Sequence, residues 1–142
     1  MHDVTLRPSA AEDVEWIADL RAVVLRDDLG RLGRYDAERV RERFRRSFVP
    51  QDTRVIVIDG VDRGSVAVRP EEEALWLEHF YLDPAVQGVG IGSAVLRIVL
   101  EQEDARPFRL NVLQGSPARR FYERFGFTLD GEDAVDAWMT RA

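Results

Sequence analysis

A glycine-rich segment, Gln87-Gly88-Val89-Gly90-Ile91-Gly92-Ser93, joins a run of strand-forming residues to a run with helical periodicity. Glycine lets a ligand approach the main chain closely, and the N–H groups exposed in such a turn and at a helix N-terminus favour a phosphate or pyrophosphate. We therefore expect a phosphorylated ligand at this segment. The alternative is a glycine-rich connection that binds nothing.

Two familiar phosphate-binding motifs do not fit the segment. The dinucleotide fingerprint G-x-G-x-x-G, counted from Gly88, requires a third glycine where Ser93 stands. A phosphate loop of the Walker type requires a lysine, and all 20 basic residues of this chain are arginine. The sequence therefore argues against both of these nucleotide-binding classes.

The composition narrows the chemistry further. The chain has 142 residues, no cysteine and two histidines, His2 and His79, which excludes thiolate chemistry and leaves too few imidazoles for a histidine-rich metal site. A net charge of −6 disfavours attraction to nucleic acid or to an anionic membrane. No apolar run is long enough to span a membrane, and no signal-peptide pattern is present. We expect a cytoplasmic protein without a metal.

Hydrophobic periodicity and turn residues predict the elements that position the glycine segment. The predicted order is β-α-α-β-β-β-α-β-α-β-β over residues 1–142, a single mixed α+β domain and not a doubly wound sheet. Ser9 and Glu12 are predicted to form a capping box, and Ser116 to cap the last helix. The predicted strands span residues 4–6, 54–58, 64–68, 75–82, 108–113, 127–129 and 134–139. The predicted hairpin turns are Asp59-Gly60 and Asp130-Gly131.

Two motifs at their observed spacing resemble the GNAT superfamily of acyl-CoA-dependent N-acyltransferases. Gln87-x-x-Gly90-x-Gly92 is similar to the acyl-CoA signature of the family. The block from Ser116 to Phe127 is similar to its Asn-x-Ala-x-x-x-Tyr-Glu-x-x-Gly-Phe pattern, with serine in place of asparagine. The resemblance implies a GNAT-like mixed central β-sheet with helices on both faces and a parallel strand pair that splays apart.

The resemblance also implies that acetyl-CoA, as acyl donor, lies in the opening between strands 75–82 and 108–113. The pantetheine arm would pair with the main chain near Phe80, Tyr81 and Leu82. The pyrophosphate would lie on the N–H groups of Gln87, Gly88, Val89, Gly90, Ile91, Gly92 and Ser93.

Three polar side chains are further cofactor-binding candidates. Asn111 is an amide within an apolar strand, so it needs a hydrogen-bond partner, which is either the ligand or a splayed strand. Ser116 replaces the family asparagine and has a shorter reach toward pantetheine. Arg119 is placed near the CoA phosphates, although a solvated helix charge is the alternative.

Direct acyl transfer requires a deprotonated amine and a proton for the leaving thiolate. Tyr122 matches the tyrosine of the family motif and is the implied acid, the alternative being a core tyrosine that packs on its helix. Glu78 is the candidate base, acting through water, because strand alternation groups it with apolar Trp76, Phe80 and Leu82. The alternative for Glu78 is a structural salt bridge with an arginine.

The acceptor site is expected beside the first two helices, where the family binds its amine. Seven arginines lie between residues 31 and 46, interspersed with acidic residues at helical spacing. They predict either a self-paired solvated face or an arginine-lined acceptor site that includes Tyr35. Glu78 and His79 are the other substrate-binding candidates, with His79 predicted on the strand face opposite Glu78.

The resulting prediction is an N-acetyltransferase that moves an acetyl group from acetyl-CoA to a primary amine, in a small molecule or a peptide, by direct attack in a ternary complex. The alternative is an acyl-CoA-binding regulatory domain of the same fold without turnover. Neither nucleic acid nor a membrane is an expected partner. A homodimer is an assembly common in the family, although no segment of the sequence identifies an interface.

Overall fold

The β-branched and aromatic runs of the sequence form seven strands in the computed structural model, which describes residues 2–142. The strands are β1 (Val4–Pro8), β2 (Thr53–Ile58), β3 (Val61–Pro70), β4 (Leu75–Leu82), β5 (Phe108–Leu113), β6 (Thr128–Glu132) and β7 (Asp136–Arg141). The α-helices are α1 (Val14–Val24), α2 (Arg26–Arg31), α3 (Ala37–Ser47), α4 (Ile91–Leu100) and α5 (Ala118–Arg124). The predicted α+β order is confirmed, with the short helix α2 as an addition.

The strands form one mixed sheet in the order β1-β2-β3-β4-β5-β7-β6. Strands β4 and β5 are parallel and pair only at their first residues, Leu75 with Phe108 and Trp76 with Arg109. Beyond these two pairs β4 and β5 are not paired with each other, whereas β5 pairs with β7 along its whole length. The predicted splayed parallel pair is therefore present.

The helices cover both faces of the sheet. On one face α4 buries Val95, Leu96 and Val99 against the strands, and α5 adds Tyr122 to the same core cluster. On the other face, α1 and α3 form a second cluster with the sheet, whose buried members are Ile17, Ala18, Phe44, Val55 and Tyr81. The opening between β4 and β5 is therefore bordered by α5 on one side and by α1 and α3 on the other.

A β-bulge interrupts β4 where it runs along this opening. Two residues, His79 and Phe80, stand opposite Val66 alone, because the register shifts between the flanking pairs of β3 and β4. His79 has a φ of 50°, in the left-handed region that is uncommon for residues other than glycine. An extra residue of this kind locally reverses the alternation of side chains along the strand.

The bulge corrects the predicted orientation of the β4 side chains. Phe80 and Leu82 pack on the core beneath α4, as does Leu77, which precedes the bulge. Glu78 therefore lies on the opposite face, beside His79, which contacts Phe44 of α3. The predictions that Glu78 shares a face with Phe80 and that His79 points away from Glu78 were wrong, because strict alternation does not hold across a bulge.

One predicted helix cap and one predicted turn are also corrected. The side chain of Asp13, not Glu12, accepts the N–H of Ala10 (2.9 Å), and the Ser9 hydroxyl donates to the Pro50 carbonyl (3.1 Å). The last hairpin turns at residues 133–135 and not at Asp130-Gly131, which falls in β6 at a register shift. The Asp133 carboxylate closes this turn by accepting the N–H groups of residues 135 and 136.

Candidate active site

A cavity of about 790 Å³ occupies the opening between β4 and β5. Its walls include β4 residues 77–81 and β5 residues 110–113. Residues of α5 line it from one face of the sheet, and residues of α1, α2 and α3 line it from the other. The cavity thus joins the two faces of the sheet, so a donor and an acceptor can meet in it from opposite sides.

Tyr122 lies at the α5 side of this cavity. Its ring is 9% exposed and packs edge-on against Phe121 (5.2 Å between ring centroids) and Phe127 (5.5 Å). Its hydroxyl has no hydrogen-bond partner among residues 2–142, and it is not sealed from the cavity. Burial raises the pKa of this phenol above its usual value. Tyr122 is therefore a protonated donor that faces the opening.

Glu78 lines the cavity on the face of β4 that packs toward α1 and α3, and it is held by an arginine. Arg69 Nε donates to Glu78 Oε1 (2.6 Å), and Arg69 also pairs with Glu71. Glu78 Oε2 lies 3.9 Å from His79 Nε2. The salt bridge that the sequence left as an alternative is present, and Glu78 also lines the cavity.

His79 is held between two hydroxyl groups. Arg21 Nε donates to the Tyr81 hydroxyl (2.9 Å), so the phenol proton is directed to His79 Nδ1 (3.1 Å). His79 Nε2 then carries the ring proton and donates it to Ser47 Oγ (3.1 Å). Burial, together with the charges of Arg21 and Arg69, lowers the pKa of His79 to about 4. The imidazole is therefore neutral near neutral pH.

Tyr35 lies outside the cavity. Its hydroxyl donates to the carbonyl of Ala22 (3.1 Å), which ties the segment before α3 to α1. The structure therefore gives Tyr35 a role in joining two helices, and it does not support the expected contact with the acceptor.

The arginines of residues 34–46 divide into two groups. On the outer surface Arg41, Arg45 and Arg46 form ion pairs with neighbouring carboxylates, among them the predicted partners Glu38 and Glu42. Facing the cavity are Arg34, Arg39 and Arg43. The self-paired face and the arginine-lined site, which were alternatives in the sequence, therefore coexist on the same segment. Arg39 and Arg43 border both, because they also line a surface groove with Glu38, Glu42 and Arg46.

The remaining cofactor-binding candidates occupy two regions. Asn111 and Ser116 line the cavity, where Asn111 Nδ2 donates to Asp136 Oδ1 (3.0 Å) and Ser116 Oγ accepts the N–H of Ala118 (3.1 Å). Arg119 is outside the cavity lining and lies 3.7 Å from Glu132. Asn111 therefore already has a protein partner, and Ser116 caps α5 as predicted.

The glycine segment follows β4 directly and leads into α4. Gly88 and Gly90 have φ values of 80° and 85°, which only glycine adopts without strain, and a Cβ at either position would meet nothing within 4 Å. Gln87 Nε2 donates to the Leu82 carbonyl (3.0 Å) and fixes the start of the segment on β4. Its main chain is thus exposed, with space above it, at the end of β4 where the strands diverge.

Three contributions to the cavity were missed in the sequence, the first being Asp28 and Leu29 of the additional helix α2. Arg21 of α1 lines it, and so do residues 133, 135 and 136 of the β6–β7 turn. The arginine gave no signal because its spacing is that of an ordinary helix residue. The turn was expected at Asp130-Gly131, three residues before its observed start at Asp133, which left its side chains unassigned.

Residues 2–142 contain no group of three or more His, Cys, Asp or Glu side chains arranged to hold a metal ion. No helix formed by these residues has the length and apolarity that a membrane-spanning helix needs.

Known proteins resemble this chain in part of its sequence and in its fold. A spermine/spermidine N(1)-acetyltransferase of Bacillus subtilis (strain 168) is 32% identical over 63 residues, which cover 41% of this chain and 41% of that protein. The PaiA N-acetyltransferase of Thermoplasma acidophilum, solved in complex with coenzyme A, superposes with a TM-score of 0.76 at 19% identity over 98% of each chain. Naa50 of Arabidopsis thaliana, in complex with the bisubstrate analogue CoA-Ac-MVNAL, gives 0.70 at 17% identity over 98% of each chain.

These structural neighbours establish a shared fold. The family assignment comes from the sequence, because the model of the acetyltransferase (GNAT) domain matches residues 50–129, more than half of the chain. The matched range contains β4, the glycine segment, β5 and Tyr122, the parts that build the opening. The chain belongs to the GNAT acetyltransferase family.

Proposed function

We propose that the protein is an N-acetyltransferase that transfers an acetyl group from acetyl-CoA to a primary amine by direct attack in a ternary complex. The observation that carries the proposal is the cavity between β4 and β5, which joins the two sheet faces and has the Tyr122 hydroxyl at one wall. We assign this activity to residues 1–142 acting as one domain, and the cytoplasm as its compartment.

The residues present fit acetyl-CoA. Beyond Trp76, the edge of β4 that faces β5 has no strand partner, which leaves main-chain groups near Phe80, Tyr81 and Leu82 for the amides of pantetheine. The glycine segment offers N–H groups from Gln87 to Ser93 for the pyrophosphate, with the N-terminus of α4 behind them. The bound thioester supplies an activated acetyl group.

Tyr122 is the proposed acid. Its raised pKa keeps the phenol protonated, and its hydroxyl has no competing protein partner, so it can donate a proton to the departing sulfur. The position of Tyr122 on the α5 side suits this role, because the amine enters from the side of α1 and α3.

Glu78 is the proposed base and acts on the incoming amine through water. It lies on the acceptor side of β4, where a carboxylate can take the proton that the amine must lose before it attacks. The neutral His79 is a less suitable base, because its Nδ1 accepts from Tyr81 and its Nε2 proton is held by Ser47. We assign His79 to the wall of the acceptor site.

The names of the relatives support an amine acceptor without specifying which one. One relative is named for spermine and spermidine, and one neighbour was solved with a peptide-linked CoA analogue. We therefore assign to this chain only what these acceptors share, a primary amine in a small molecule or a peptide. A homodimer remains a proposal for its assembly.

The test is release of CoA from acetyl-CoA in the presence of an amine panel that includes polyamines, amino acids, amino phosphates and peptides. The proposal predicts amine-dependent release of CoA together with one equivalent of N-acetylated product, detected by mass spectrometry. Tight binding of acetyl-CoA without turnover of any amine would instead favour the acyl-CoA-binding regulatory domain.

A further inference from the structure

We call the half of the cavity between α1–α3 and the β6–β7 turn the acceptor half. Arginines and carboxylates both line it, but each carboxylate already has a hydrogen-bond partner within the protein. Each carboxylate that lines the cavity has a partner: Arg31 for Asp28 (2.9 Å), the N–H of Arg39 for Asp36 (3.0 Å), Arg69 for Glu78 (2.6 Å), two turn N–H groups for Asp133, and Asn111 for Asp136 (3.0 Å).

Three arginines of the acceptor half have no such partner. Arg34, Arg39 and Arg43 form neither a salt bridge nor a side-chain hydrogen bond with residues 2–142, although all three line the cavity. Arg39 and Arg43 are four residues apart on α3, so their side chains project from the same face of the helix.

The lack of partners is specific to the cavity side. Across the same stretch of chain, the arginines that point elsewhere are ion-paired: Arg31 with Asp28, Arg41 with Asp19, Arg45 with Glu15 and Arg46 with Glu42. Carboxylates of α1, α2 and α3 thus pair with these four arginines, whereas three arginines in the lining of the cavity have no such pair in the described part of the chain. Arg34 is close enough to Asp133 to help lower the pKa of that carboxyl group, but none of the three guanidinium groups is hydrogen-bonded to a carboxylate of residues 2–142. Guanidinium groups of this kind at a cavity wall favour a carboxylate or phosphate, which they bind through paired hydrogen bonds.

We propose that the acceptor amine carries a second, anionic group, a carboxylate or a phosphate, which Arg34, Arg39 and Arg43 bind while the amine is directed at Glu78. This inference rests on the proposed function and names its substrate class. It sets the chain apart from its relative named for spermine and spermidine, because it assigns the three arginines to an anionic group of the acceptor.

Matched pairs of amines test the substrate class. The release of CoA is measured with L-alanine against L-alaninamide, for the carboxylate, and with O-phosphoethanolamine against ethanolamine, for the phosphate, with spermidine as the cationic comparison. The anionic member of at least one pair is expected to exceed its neutral counterpart more than about tenfold in kcat/KM. The pair with the larger ratio of kcat/KM shows whether the anionic group is a carboxylate or a phosphate. A neutral member or spermidine as the best acceptor would overturn the inference.

The double variant Arg39→Gln, Arg43→Gln tests the site itself, with Arg46→Gln as the matched control. Arg46 lies on the same helix, but it is paired with Glu42 and does not line this cavity. The double variant is expected to lose the preference for the anionic member, whereas the control keeps it. Both should bind CoA with unchanged affinity, which shows that they are folded.

A binding measurement keeps this test separate from turnover. Binding of inorganic phosphate to the CoA-saturated protein is followed by calorimetry, since CoA then occupies the other phosphate site. The wild type and Arg46→Gln are expected to bind phosphate, and the double variant more than about tenfold more weakly. Absent or equal binding in all three proteins overturns the inference. No turnover of any amine, with phosphate binding intact, overturns the proposed function instead.

Discussion

Glu78 and His79 are consecutive in the sequence, yet their side chains lie on the same face of β4, with Glu78 Oε2 3.9 Å from His79 Nε2. The bulge at His79 produces this arrangement, since a regular strand would send the two side chains to opposite faces. As a result, a carboxylate and a neutral imidazole both border the opening on the side of α1 and α3, while Tyr122 borders it from α5.

Glu78→Gln is expected to lower kcat by about 100-fold or more, because the amide can still accept from Arg69 but cannot take the proton of the amine. Steady-state kinetics should show little change in KM for acetyl-CoA, and thermal unfolding little change in Tm. Glu71→Gln is the matched control, since it removes the other carboxylate partner of Arg69 outside the cavity. Full activity in Glu78→Gln would mean that Glu78 serves only as the partner of Arg69.

His79 is expected to make the protein less stable as the pH falls. Its pKa is about 4 in the folded protein against the ordinary 6.5, so the unfolded chain takes up the proton first as the pH decreases. The stabilisation is complete above pH 6.5 and declines as the pH falls toward 4. Between about pH 6.5 and pH 5 the free energy of unfolding should fall by about 2 kcal/mol.

Urea unfolding of the wild type and of His79→Asn at several pH values in this window checks the prediction. Asparagine is chosen because it tolerates the left-handed φ of 50° at this position. The variant should have lower stability at pH 7 and a flatter dependence on pH. An equally steep dependence in both proteins would assign the effect to other groups.

Gly90→Ala is expected to weaken the binding of acetyl-CoA. Gly90 has a φ of 85° immediately before α4, a conformation that costs an alanine about 1–2 kcal/mol, so the N–H groups of the segment would shift. KM for acetyl-CoA should rise several-fold, whereas kcat at saturation changes less. Gly131→Ala is the control, because that glycine has nothing within 4 Å of an added Cβ and no positive φ. Unchanged KM in Gly90→Ala would remove the segment from the cofactor site.

The sequence predicted the order of elements because each strand and helix carries its own local signal. The Asp59-Gly60 hairpin and the Asp36 start of α3 are examples, since a turn dipeptide and a capping side chain act within a few residues of where they stand. The opening was predictable too, but only through the two motifs that resemble a known family.

The bulge was not predictable, because it arises from the register between β3 and β4 and leaves no mark in the residues of β4 alone. The position of the last turn failed for a related reason. Asp130-Gly131 has the composition of a turn, but pairing with β7 holds it in a strand, and Asp133 closes the hairpin. The charge pattern around α3 was visible in the sequence, whereas the side of the helix that remains unpaired was not.

In the proposed reaction the Tyr122 hydroxyl donates a proton to the departing sulfur in the opening between β4 and β5. The most direct test measures kcat for CoA release and the Kd of acetyl-CoA in Tyr122→Phe, with Tyr35→Phe as a control that removes a hydroxyl outside the cavity. Tyr122→Phe is expected to lose about 100-fold or more in kcat while its Kd for acetyl-CoA and its Tm stay unchanged. Tyr35→Phe is expected to keep the wild-type kcat. A kcat for Tyr122→Phe within twofold of the wild type, in a folded protein that still binds acetyl-CoA, would contradict this role of Tyr122.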